Sequence, residues 1–185
     1  MMNLNGKMLI AMPAMGDPRF EKSVVLICSH SDEGALGLIV NKPLPDLGFP
    51  ALLDQIGIAH GPGVRRVPVH YGGPVEQGRG FVLHDEGWLA SNGSLKVPGG
   101  LGMTATQEVL VALAQGEGPE RALLALGYAG WGPGQLEQEI GRNDWLTSES
   151  APDLIFAPDN GAKWTGALAQ MRIDPLTLSA TAGRA

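Results

Sequence analysis

Gly127-Tyr-Ala-Gly-Trp-Gly-Pro-Gly-Gln-Leu-Glu-Gln-Glu-Ile140 decides how the rest of the chain is read. Its first eight residues hold four glycines, a Tyr, a Trp and a Pro, and a polar stretch follows. With Gly132 as N-cap, Pro133 takes the first helical position, where a missing N–H costs nothing. Gln135 can then reach back to the Gly132 N–H, which is half of a capping box. Trp131 precedes the cap and Leu136 falls at the fourth helical position, the spacing of a hydrophobic staple. The stretch therefore predicts a glycine-rich strand handed into a short helix, Pro133 to Ile140, at a fixed angle. The segment feeding it, Arg121 to Tyr128, fits helix or strand by periodicity and is read as a strand.

Outward from this motif, short apolar runs alternate with turns. Lys7 to Met12 reads as a strand stopped by Pro13. Ser23 to His30 and Ala35 to Asn41 are apolar without alternation, the pattern of strands buried on both faces, with Ser31 to Gly34 as a hairpin loop. Phe49, Leu52, Leu53 and Ile56 recur at helical spacing, with Gly57 as a stop. Val67 to Tyr71 and Phe81 to His84 read as strands around the hard turn Gly72-Gly73-Pro74. Asp85 to Gly102 reads as loop with a short strand at Leu95 to Val97. Thr104 and Gln107 have the spacing of a capping box before a helix carrying Val109, Leu110, Leu113 and Ala114 on one face. Trp145 to Thr147 and Leu154 to Ala157 read as short strands. Asn160 is expected to cap a final helix, Ala162 to Arg172, with Trp164, Leu168 and Met171 on one side. The irregular mixture predicts an α+β fold: one domain over residues 1–185, with a mixed, largely antiparallel sheet of barrel-like curl flanked by short helices.

Composition bounds the function. The chain has 185 residues, 44% hydrophobic and 17% charged, which describes a globular protein. Its 27 glycines and 14 prolines favour turns and strands over a helical bundle. With 13 basic and 19 acidic residues the net charge is -6, and Arg65-Arg66 is the only dibasic pair. Duplex DNA binding needs a cationic stripe, so direct DNA contact is disfavoured. One Cys excludes an internal disulfide. The N-terminus lacks a charged-then-apolar signal pattern and the longest apolar run is too short for a bilayer, so a cytoplasmic protein without membrane contact is expected.

Candidate chemistry is sparse. Cys28 and His30, two apart on a strand, are expected to share a face. Cys28 ends an apolar run, so a structural thiol is the better reading. His60, His70 and His84 lack metal-ligand spacing, so no metal or cofactor is expected and no catalytic residue is assigned. Glu137 and Glu139, two apart on a helix, do not share a face, and Asp85-Glu86, after the strand carrying His84, reads as solvated turn charge. The glycines before the Gln135 helix lack a phosphate-binding signature. The candidate ligand or partner surface comprises Asn41, Lys42, Gly72, Gly73, Pro74, His84, Tyr128, Trp131 and Gln135.

Several segments together resemble the AlgH/YqgE family of small bacterial proteins. They are Leu9-Ile-Ala-Met-Pro13 with Asp17 and Phe20, Ser23 to His30, and Gly34 to Pro43. Gly72-Gly-Pro-Val75 with Phe81-Val-Leu-His84 follows, and then Gly127 to Ile140 with Asn143 and Trp145-Leu146. The resemblance implies a mixed α/β fold and the label of transcriptional regulator, and it assigns no catalytic residue. The expected function is therefore a non-catalytic regulatory or adaptor protein that binds another protein or a small molecule. The alternative is a nucleotide- or metabolite-binding enzyme with a cleft near Lys42, His84 and Gln135.

Overall fold

A computed structural model describes residues 3–13, 15–88 and 94–176. Its strands form a curled sheet, a half-barrel, with short helices on its faces. The strands are β1 (Met8–Ala11), β2 (Val24–Ser31), β3 (Gly34–Ile39), β4 (Val69–Tyr71), β5 (Val75–Asp85), β6 (Ser94–Val97), β7 (Leu101–Thr104), β8 (Ala122–Trp131) and β9 (Trp145–Ser148). The helices are α1 (Phe49–Gln55), α2 (Gln107–Ala114), α3 (Gln135–Gly141), α4 (Pro152–Ile155) and α5 (Lys163–Gln170). The sheet runs β6-β7-β5-β8-β3-β2-β1-β9, and β4 joins β8 from the side. All pairings are antiparallel except β4 with β8. The predicted α+β architecture with a mixed, mainly antiparallel sheet is the observed one.

β8 organises the sheet because it changes partners half-way. Its first half lies between β5 and β4, pairing Leu124 with both Val82 and Val69. Its last three residues pair with β3, Trp131 opposite Ala35. The switch falls at Gly127, at φ 77°, where a Cβ would lie 2.4 Å from the Gly73 carbonyl oxygen. Only glycine permits both the left-handed backbone and that approach. The Gly72 N–H donates to Leu126 O at 2.8 Å, and the Gly72 carbonyl accepts from the Ile39 N–H at 2.9 Å. The predicted turn Gly72-Gly73 is thus the seam between the two halves of the sheet.

Burial follows the strand pattern. Val24 to Cys28 are buried without a break because β2 lies between β1 and β3 with side chains packed on both faces. On one face Val24, Leu26 and Cys28 pack with Trp164 and Leu168 of α5. On the other, Val25 and Ile27 pack with Trp131, Leu136 and Trp145. Under α1 and α2, Phe49, Leu53, Val109 and Leu113 cover β4, β5 and β8.

Several sequence expectations need correction. Thr104 does not cap α2. It ends β7, fully buried, and its hydroxyl bonds His84, while Thr106 takes the N-cap position without a side-chain bond. β7 begins inside the stretch read as loop; Gly99 and Gly100 at positive φ turn β6 tightly into it, and so short a hairpin carries little periodicity. β5 extends back to Val75 through a bulge, where pairing jumps from Val75–Tyr128 to Gly80–Leu126. Leu154 to Ala157 is not a strand: Pro152 and Asp153 in the first turn begin α4. Asn160 lies in a 3-10 turn and uses its side chain on His70, not on the α5 backbone. α3 begins at Gln135 rather than Pro133, with Gly134 and not Gly132 as N-cap and Leu136 second rather than fourth in the helix, because Gly134 at φ 72° holds a left-handed turn before it.

Candidate functional site

The turn from β8 into α3 is tied as its residues foretell. Gln135 Oε1 accepts from the Gly132 N–H at 3.0 Å, the expected reach-back. That bond fixes the amide, so its NH2 faces Glu139 and donates to Oε2 at 2.9 Å. Glu139 Oε1 accepts from two indoles, Trp131 Nε1 at 3.1 Å and Trp145 Nε1 at 3.0 Å. Buried indole N–H groups need acceptors, and one carboxylate serves both. The other glutamate of the helix, Glu137, meets His30 Nε2 at 3.3 Å. His30 Nδ1 accepts from the Leu4 N–H, so the proton sits on Nε2 and is donated to Glu137. The two glutamates serve different faces, as their spacing implies.

Beside this network lies a cleft of about 420 Å³ between α3 and the segment 15–20. Glu139, Gln135 and Trp131 form one wall, and Phe20 forms the other. The Phe20 ring meets Trp145 edge-on at 5.7 Å, and Trp145 meets Trp131 at 6.2 Å. Two local ion pairs sit at the mouth: Arg19 forks onto Asp17, and Arg142 bonds Asp144 at 3.0 Å. The Arg19 bonds hold the Asp17 carboxyl below its usual range. Three carboxylates therefore face the cleft against two guanidiniums, each guanidinium already paired. A more open depression of about 490 Å³, which includes Tyr128, shares Val75, Gly130 and Trp131 with the cleft.

Of the nine nominated residues, Pro74, Trp131 and Gln135 line the cleft and Tyr128 the adjoining depression. Gly72 and Gly73 form the sheet seam. Asn41 ties the chain ends of neighbouring strands, accepting from the Val24 N–H at 2.9 Å and donating to Lys22 O at 2.8 Å. Lys42 donates to Glu21 O at 2.8 Å, and partial burial lowers its pKa. His84 is fully buried: Nδ1–H donates to Asp85 O at 2.7 Å and Nε2 accepts from the Thr104 hydroxyl at 2.8 Å. Desolvation lowers its pKa, so the ring is neutral. His84 pairs with Ala122 at one end of β8, and Trp131 closes the other. At about 3.3 Å per residue the two ends are separated by roughly 30 Å measured along the strand. His84 and Gln135 therefore do not share one cleft, whereas Lys42 reaches Glu21, next to the 15–20 wall.

Cys28 and His30 do not share a face. A bulge between Ile27 and Ser29 shifts the alternation, so Cys28 packs with Val24 and Leu26 while His30 reaches Leu4 and Glu137. Burial pushes the Cys28 thiol up to about 12. Among the described residues, no three His, Cys, Asp or Glu are placed to hold a metal ion, and no helix is long and apolar enough to cross a membrane. Sequence reasoning missed Asp17, Phe20, Glu139, Arg142 and Asp144 as cleft residues. One signal for Glu139 was available: it stands four residues after Gln135, on the same helix face, and near two tryptophans that each need an acceptor.

The AlgH-like family pattern matches residues 8–176, nearly the whole described chain. The chain belongs to the AlgH-like family. A UPF0301 protein of Cereibacter sphaeroides is 58% identical over 184 residues, all of both chains. A UPF0301 protein of Paracoccus denitrificans is 54% identical over 186 residues, covering 99% of this chain and 97% of its own. The solution structure of the AlgH protein from Pseudomonas aeruginosa superposes with a TM-score of 0.80 at 37% identity, covering 96% of this chain and 93% of that one. A crystal structure from Corynebacterium diphtheriae, at 24% identity and TM-score 0.73, shares the fold over 97% of this chain and 91% of its own. The AlgH-like family is one of uncharacterised function, so the cleft itself must carry any functional reading.

Proposed function

We propose that this AlgH-like protein is a non-catalytic regulatory or adaptor module that works by binding, with the cleft between α3 and residues 15–20 as its seat. The observation that carries this reading is Glu139. Three donors hold its carboxylate rigid in an aromatic-walled cleft, and Oε2 retains acceptor capacity beyond the Gln135 bond. A preorganised wall lowers the cost of ordering on binding. The groups that sequence nominated for chemistry are engaged elsewhere: Cys28 is a buried thiol, and His84 is a neutral, fully bonded core residue. The excess of carboxylates favours a partner that presents an amine or guanidinium and opposes a phosphate-bearing one. A lysine- or arginine-bearing segment of a protein partner fits that chemistry.

Calorimetric titration with short basic and acidic peptides tests the reading. The basic peptide should bind the parent, weaken with salt, and lose affinity in Asp144→Asn, whose side chain lies at the mouth outside the indole network. Equal affinity for both peptides, or binding indifferent to Asp144→Asn, would count against it.

A further inference from the structure

Helix α5 is fastened to the sheet by three polar bonds drawn from one short stretch, residues 160–164. Asn160 Oδ1 accepts from His70 Nε2 at 3.0 Å, Lys163 Nζ donates to Val40 O at 2.8 Å, and Trp164 Nε1 donates to Ala11 O at 2.9 Å. Two of these bonds bring titratable groups into the interior: His70 and Lys163 are each 1% exposed. Lys163 has no carboxylate within ion-pairing distance among the described residues; its bonding partner is a neutral carbonyl. A buried ammonium without a counter-ion is costly, and it penalises any further positive charge nearby. His70 is such a neighbour. Its Nε2–H is committed to Asn160, so a second proton must go to Nδ1, which is buried and has no hydrogen-bond partner among the described residues.

We infer that the Asn160–His70 and Lys163–Val40 contacts form a proton-sensitive clasp, and that protonation of His70 loosens α5 from the sheet. The surroundings of His70 answer the added charge only in part. From α5, Lys163 opposes it. From the stretch after β3, Pro43 bridges to His70, and the adjacent Lys42 turns its ammonium to Glu21 O. The backbones of Leu124 on β8 and of Pro68 before β4 favour the added proton, Ala125 of β8 is apolar, and Asp159, next to Asn160 in the chain, is exposed. Tyr71 follows on β4 itself, a phenol that stays neutral in this range with its pKa raised by burial. Burial, the largest cause, and Lys163 keep the His70 pKa below its usual 6.5, and the Asn160 bond with the Leu124 and Pro68 backbones offsets them in part. Because the folded value is the lower one, the detached state binds more protons as pH falls through 6.5. The clasp is at full strength above about pH 6.5 and weakens towards the folded pKa, by up to about tenfold per pH unit for one proton.

Amide exchange, corrected for intrinsic rates, tests this between pH 5 and 7.5. Amides of α5 should exchange through an opening cheaper than that of β2, and their protection should fall towards pH 5 by up to about tenfold per unit. His70→Gln, which keeps a donor for Asn160 and cannot titrate, should flatten that slope. Equal protection of α5 and β2 throughout, or an unchanged slope in His70→Gln, would overturn the inference. If His70→Gln does not fold, the His70 ring resonance decides. Its midpoint should lie below 6.5 in the parent and rise in Lys163→Met; a midpoint at or above 6.5, or one indifferent to Lys163→Met, would also overturn it.

Discussion

Trp131 and Trp145 donate their indole N–H groups to the same atom, Glu139 Oε1, at 3.1 and 3.0 Å. Their rings stand 6.2 Å apart at 78°. One residue comes from the end of β8 and the other opens β9, so a single carboxylate from α3 joins two strands that are not neighbours in the sheet. Glu139→Ala would leave two largely buried donors unpaired. Each orphaned donor costs about 1–3 kcal/mol, so a loss of roughly 3 kcal/mol is expected. Glu139→Gln keeps an acceptor oxygen and should lose about 1 kcal/mol. Urea denaturation measures both, and an alanine variant within 0.5 kcal/mol of the parent, about the scatter of neutral surface changes, would refute the bridging role.

Trp131→Ala should be more damaging. The indole is 7% exposed and packs in the same cluster as Leu136 and Trp145. Removing a large aromatic from such a site costs about 3–5 kcal/mol. Gln135→Ala removes the Gly132 and Glu139 bonds at an exposed position and should cost about 1 kcal/mol. Denaturation curves that reverse this order would show that the turn, not the indole, holds the segment.

What could be read from the sequence, and what could not, follows from which forces act locally. The Gln135 reach-back, the β2–β3 hairpin and the burial of Cys28 depend on neighbours in the chain, and the residues announced them. Thr104 shows the opposite case. Its spacing to Gln107 fits a cap, but His84 and Ser94, brought in by β5 and β6, claim its hydroxyl instead. Asn160 likewise serves His70, 90 residues away. The cleft was half-visible: Pro74, Trp131 and Gln135 were nominated, whereas Asp17 and Asp144 become cleft residues only once segment 15–20 faces α3. The bulge in β2 that separates Cys28 from His30 leaves no mark in residue type.

Cys28 should be unreactive in the native protein. Burial pushes its pKa up to about 12, so almost no thiolate exists at neutral pH. A thiol reagent should label it slowly until denaturant is added and rapidly thereafter. Fast native labelling would reopen a redox role.

Lys163 should give a stability profile of unusual sign. Burial lowers its pKa from 10.5 to about 8, so the unfolded chain binds more protons between those values. The penalty for the buried ammonium is therefore complete below about pH 8 and relieved as pH rises towards 10.5, with a size on the order of 3 kcal/mol. Cys28 acts in the opposite sense above pH 9, because its folded pKa is raised. The comparison that isolates Lys163 is the stability difference between Lys163→Met and the parent. The variant should be favoured at pH 7, since an apolar side chain of similar length avoids the charge, and its advantage should shrink between pH 8 and 10. A difference that does not change with pH would contradict the assignment.

The chain should not bind duplex DNA specifically at physiological salt, given its net charge of -6 and the carboxylates in its cleft. Fluorescence anisotropy with promoter fragments checks this. A dissociation constant of about 10⁻⁸ M or tighter, the range of specific complexes, would restore the regulator label in its literal sense.

A partner seated in the cleft beside Glu139 must disturb the two indoles that this carboxylate holds. The most direct measurement follows the indole N–H resonances by two-dimensional NMR while an arginine-bearing peptide is added. The signals of Trp131 and Trp145, both bonded to Glu139, should move together and saturate. That of Trp164, bonded to Ala11 O on the opposite face of the sheet, should stay in place. Saturable binding that leaves Trp131 and Trp145 unmoved, or no saturable binding at all, would contradict the claim.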